Sequence, residues 1–162
     1  MAKCVLLFLF LILGACNNDD DKIAPKNLRW SQVGETSFAE WNGQTLRIDA
    51  LKESQVFDAE HRFTRLSDDL WIFEAGKVAV WRIDGDIPDE FMYLQDNSIA
   101  ILGRNAAIPK ALALRFSMIV VLWDFDAQNL FLIMEHYKEK VVMADNNREI
   151  IFTTDGVSWY FR

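Results

Sequence analysis

The chain has 162 residues, with 24 acidic side chains against 17 basic ones and a formal net charge of −7. That surplus of acid excludes the basic stripe that nucleic-acid phosphates require, so nucleic acid is not an expected partner. The length suits one domain with one core, and the two cysteines, Cys4 and Cys16, both fall near the start, so the folded part must be held by packing without a disulfide.

In residues 1–15, Lys3 precedes an unbroken apolar run from Val5 to Leu13, followed by Gly14 and Ala15. This is the pattern of a secretory signal. A helix over that run spans only about 14 Å, short of the roughly 20 residues that a bilayer crossing needs. Leu13-Gly14-Ala15-Cys16 resembles the lipobox of bacterial lipoproteins. The resemblance implies that residues 1–15 are removed and that Cys16 is lipidated as the new N-terminus. Acyl chains contribute about 0.8 kcal/mol per buried CH₂, so a multiply acylated Cys16 holds the chain on a membrane with no transmembrane helix. Residues 17–26, "NNDDDKIAPK", are too polar to bury a core and read as an acidic tether. Asn and Asp directly after the Cys resemble surface-export signals of Bacteroidota lipoproteins, which implies an outer-membrane address and exposure at the cell surface. A single domain is expected over residues 27–162.

Within it, residues 27–43 mix strand and turn features and yield no assignment. From Thr45 onward, short β-rich runs alternate with turn residues. Strands are expected over 45–51, 61–66, 70–74, 77–83, 90–95, 98–102, 114–124, 129–137, 140–143, 149–154 and 157–161. Ala75-Gly76 would turn a hairpin placing Phe73 opposite Val78 and Trp71 opposite Val80. Asp96-Asn97 would set Leu94 opposite Ile99. Pro109 suits the first turn of one short helix near 109–114.

The closing stretch "IIFTTDGVSWYFR" carries Thr153, Asp155, Gly156, Ser158 and Trp159, which resembles the Asp-box of sialidases. That box recurs once per propeller blade, and no second copy is present. Asp155-Gly156 is also a strong two-residue type I′ turn signal, and a hairpin is the better reading, with Thr154 opposite Val157, Phe152 opposite Trp159 and Ile150 opposite Phe161.

So many strands in one small chain need a closed sheet or a second one to hide their edges. The expected fold is all-β: a small antiparallel meander barrel or a flattened β-sandwich. The stretches "FEAGKVAVWR", "FMYLQDNSIAILG" and "VVLWDFDAQNLFLI" resemble the lipocalin-like domains of small bacterial lipoproteins in their order of Gly turn, Tyr-led strand and Asn turn. The resemblance implies a barrel with a ligand inside it or at its mouth.

Four constellations could carry chemistry. Asp84, Asp86, Asp89 and Glu90 crowd one turn, but their spacing is not that of an EF-hand, and a solvated acidic turn is the simpler reading. Asp124 and Asp126 would share one face of a strand, yet neighbours in sequence seldom reach the carboxylate spacing of a glycosidase. His61 and His136 are the only histidines, too few for a zinc site alone, and read as surface or mouth residues. The six tryptophans exceed ordinary use. Most belong to the core, and Trp81, Tyr93 and Trp123 are the candidates for ligand contact.

No nucleophile elbow, phosphate loop or His-Glu-x-x-His occurs. The expectation is a non-enzymatic, lipid-anchored envelope lipoprotein, with no metal, cofactor or catalytic residue, that binds a small hydrophobic or glycan ligand. The alternative is a module that docks or inhibits another envelope protein. The expected partners are thus the membrane, through Cys16, and either a small ligand or an envelope protein.

Overall fold

In the computed structural model, residues 28–41, 43–93, 97–154 and 159–161 are described. The signal, Cys16, the tether and the Asp155-Gly156 turn lie outside them.

Twelve strands are present among the described residues. They are β1 (Arg29–Val33), β2 (Thr36–Trp41), β3 (Gln44–Arg47), β4 (Gln55–Val56), β5 (His61–Arg65), β6 (Leu70–Ala75), β7 (Val78–Ile83), β8 (Ser98–Leu102), β9 (Met118–Leu122), β10 (Val141–Ala144), β11 (Glu149–Thr154) and β12 (Trp159–Phe161). Two helices, α1 (Ile108–Ala113) and α2 (Ala127–Tyr137), complete the fold.

The strands form two sheets. One runs β12-β11-β1-β2-β3 and the other β10-β9-β8-β7-β6-β5-β4. The fold is therefore a β-rich sandwich, the flattened alternative of the two expected, and no closed barrel forms. Nor is it an antiparallel meander throughout, because β7, β8, β9 and β10 run parallel to one another. Parallel neighbours need crossover connections, and α1 and α2 supply two of the three.

Two cores follow from strand alternation. Between the sheets, Trp30, Phe63, Phe73, Phe152, Val80, Ile101 and Val120 are fully buried. Trp30 lies at the centre, stacked on Phe152 (ring centroids 6.2 Å apart, planes 14° apart) and tilted against Trp71 at 6.0 Å and Phe73 at 5.8 Å. The other face of the larger sheet presents Trp81, Ile83, Leu102, Ile119 and Val121 to Ile108 and Ala111 of α1 and Ile133 and Tyr137 of α2. β8 and β9 are buried on both faces, as their uninterrupted apolar sequences SIAIL and MIVVL suit.

Several local expectations change. Residues 129–137 form α2, not a strand: Leu130, Ile133 and Tyr137 recur at helical spacing, and Asp126 accepts from the backbone N–H of Gln128 and Asn129 as the N-cap. Of the strand expected over 90–95, residues 90–93 form no strand, and Leu94, expected opposite Ile99, lies outside the described residues. Pro88 instead opens a short 3₁₀ turn over Asp89–Phe91, and β8 joins β7 in parallel. The β6–β7 hairpin pairs Phe73 with Val80 and Ala75 with Val78, two residues from the expected register. Its turn is Gly76-Lys77, because Gly76, at φ 60°, supplies the left-handed first central position. β11 and β12 likewise pair Thr154 with Trp159 and Phe152 with Phe161, a shift of two. Residues 27–43, left unassigned, contain the β1–β2 hairpin with Gly34 (φ 53°) in its turn.

Candidate ligand-binding site

Among the described residues, the space between the sheets is filled by aromatic and branched side chains, with no chamber at its centre for the interior ligand expected of a barrel. A hollow lined by aromatic and charged side chains lies on the opposite face of the larger sheet. There α1 and α2 cover β8 and β9, and the hollow remains beside them over part of the outward face of β5, β6 and β7.

Register builds its floor. Arg62 stands opposite Glu74 and Thr64 opposite Ile72 across β5 and β6. Glu74 stands opposite Ala79, and Ile72 opposite Trp81, across β6 and β7. These six side chains share one face and line a hollow of about 330 Å³. The 3₁₀ turn after Pro88 brings Glu90, Phe91 and Tyr93 over it as a wall. Trp81 meets Phe91 edge-on at 6.4 Å and Phe116 at 6.3 Å, which fixes its ring. Tyr93 is 89% exposed, an unusual position for a large aromatic side chain.

Arg62 and Lys77 balance Glu74 and Glu90 around the hollow, so it favours neither anion nor cation. Trp81 is buried and its indole N–H has no hydrogen-bond partner among the described residues. An unmet buried donor costs about 1–3 kcal/mol.

Two of the three aromatic candidates, Trp81 and Tyr93, thus converge. Trp123 does not: it is half-exposed after β9, away from the hollow. Arg62 and Glu74 belong to no motif of the sequence, although opposite charges on paired strands are a readable signal.

The remaining constellations serve the fold. Lys110 of α1 bridges Asp86 (3.0 Å) and Asp89 (3.1 Å) and donates to the carbonyl of Ile87. The Lys110 ammonium beside Asp86 holds that carboxyl below its ordinary pKa. Asp126 is committed to capping α2, so Asp124 and Asp126 do not stand as a pair on one strand face. His61 is buried, not at the surface: it stacks on Trp41 (4.9 Å, 12°) with Nδ1 2.8 Å from the Asp58 carboxylate. Backbone donation from Glu60, then the His61 contact, lower the Asp58 pKa. His136 is exposed on the last turn of α2, so the two histidines serve separate places.

No protein-family model matches the chain, and no curated protein matches its sequence.

Proposed function

We propose that the chain is a non-enzymatic lipoprotein of the bacterial envelope, anchored in the outer membrane through Cys16, that binds a small hydrophobic or glycan ligand in the Trp81–Phe91–Tyr93 hollow. The observation that carries the binding site is the exposed aromatic wall over a charge-balanced floor with an unmet indole donor. Aromatic faces suit the apolar side of a sugar ring or a small hydrocarbon, and the surrounding polar groups orient its hydroxyls.

A thermal-shift panel of soluble glycans and short lipids on the full-length protein tests the site. A ligand that raises the melting temperature should lose that effect in Tyr93→Ala and in Trp81→Phe, which keeps a ring but removes the N–H. A ligand effect indifferent to both changes places binding elsewhere. The anchor is tested separately: Cys16→Ser should move the protein from the membrane to the soluble fraction, and protease shaving of whole cells reads surface exposure.

One observation favours the second reading, a protein-docking module. The outer surface of α2 exposes Phe131 (66%), Met134 (51%) and Leu132 (41%). Crosslinking from residue 131 on intact cells would recover a specific envelope protein if this reading holds.

A further inference from the structure

Arg82 is the one basic residue of β7 that turns inward, onto the face that carries Val80 and opposite Trp71. Its side chain is 12% exposed. Yet the guanidinium donates no hydrogen bond among the described residues, and Nε is buried without a partner. Its ion-pair partner is Asp84, whose Oδ2 lies 3.7 Å from Nη2, a long contact for a guanidinium and a carboxylate. Asp84 is held where it is. Its Oδ1 accepts from the Asn105 N–H at 2.8 Å, and it packs so closely on Gly103 that an added Cβ there would lie 2.4 Å from its carboxyl carbon. A guanidinium presents five donors, and here the buried Nε–H is left unmet.

A cavity of about 290 Å³ opens beside it at the end of the two sheets, which is about ten water volumes. Two further arginines line it, but both are satisfied. Arg47 binds Asp49 at 2.9 Å, and Arg65 bonds the Leu51 carbonyl at 2.7 Å and Asp68 at 2.8 Å. With those pairs set aside, Arg82 faces the carboxylates of Asp84, Asp69 and Glu35, and the last two have no ion-pair partner among the described residues.

Charge decides the ligand class. A simple anion would satisfy Arg82 but meet the surplus carboxylates, and a simple cation would leave the guanidinium unbonded. A zwitterion meets both demands. We infer that this cavity binds a free α-amino acid, its carboxylate on the Arg82 guanidinium and its ammonium on Asp69 and Glu35. Bidentate contact with a carboxylate is the geometry that a guanidinium fork favours. This site is separate from the Trp81 hollow and does not depend on it.

Calorimetry on the full-length protein in detergent, titrated with L-alanine, tests the inference. Saturable binding is expected, weakened at least tenfold for N-acetyl-L-alanine, which lacks the ammonium, and for L-alaninamide, which lacks the carboxylate. Arg82→Gln should weaken L-alanine binding at least tenfold, with the melting temperature read alongside because the change also removes the ion pair with Asp84. If Arg82→Gln fails to fold, Arg82→Lys keeps the charge, loses the fork and should show the same loss of binding. Absence of saturable heat with L-alanine overturns the inference, and so does equal binding of the two blocked forms. Binding of glucose in place of alanine would also overturn it, by making the cavity a polyol site.

Discussion

Removing one hydroxyl group should loosen the helical layer from the larger sheet. Tyr137, in the last turn of α2, is 8% exposed, and its Oη donates to the carbonyl of Leu114 at 2.5 Å and to that of Ala111 at 3.1 Å. Both acceptors lie at the C-terminal end of α1, where a helix leaves carbonyls without internal partners. Tyr137→Phe keeps the ring against Ile133 and Phe116 but leaves these buried carbonyls unmet. The expected cost is about 1–3 kcal/mol. For a domain of this size each kcal/mol corresponds to roughly 2–4 °C, so the melting temperature should fall by about 3–10 °C. The assay is thermal unfolding followed by far-UV circular dichroism, with Tyr93→Phe, on a largely exposed side chain, as the neutral control. Burial also pushes the Tyr137 pKa up. Its contribution is therefore present below the ordinary tyrosine value and is lost as pH rises above it. A Tyr137→Phe protein that melts with the wild type would refute the view that this hydroxyl joins the two helices.

Asp126→Ala removes the N-cap of α2 and should cost about 1 kcal/mol in urea unfolding, with Asp126→Asn nearly neutral. Trp30→Ala, at the centre of the aromatic packing between the sheets, should cost about 3–5 kcal/mol by the same measurement. Lys110→Met should return the Asp86 carboxyl toward its ordinary titration range, read by carboxyl-carbon NMR. Because the folded pKa of Asp86 is lowered, the stabilisation from this contact is present above the ordinary Asp value of 3.8 and disappears as pH falls through the folded value.

Much of the larger sheet was legible residue by residue. β5, β6, β7 and β8 fall where apolar runs and turn residues placed them, and Pro109 does begin a short helix. The β1–β2 hairpin was hidden because its inward positions include polar residues. Gln32 and Ser37 are fully buried, the Ser37 hydroxyl donates to Gln32 Oε1, and Gln32 Nε2 donates to the Gly34 carbonyl at 2.7 Å. Such a bonded pair interrupts the apolar alternation by which strands are recognised. α2 is ambiguous in the sequence for the opposite reason: Leu130, Phe131, Leu132 and Ile133 form a short apolar run that suits strand or helix, and the cap at Asp126 decides it. The parallel order of β7 to β10 rests on pairing between distant segments, which local patterns do not carry. In the hollow, Trp81 and Tyr93 could be chosen for aromatic surplus, but Arg62 and Glu74 became visible only once the β5–β6 register set them face to face.

The position of β1 also governs when the sandwich can form. Arg29–Val33 lies between Thr36–Trp41 and Glu149–Thr154, so a strand made early waits for one made more than a hundred residues later. Until then β1 keeps an unpaired edge, and Trp30 lacks the Phe152 ring it stacks on. Closing so long a loop late makes the smaller sheet the slow element of folding.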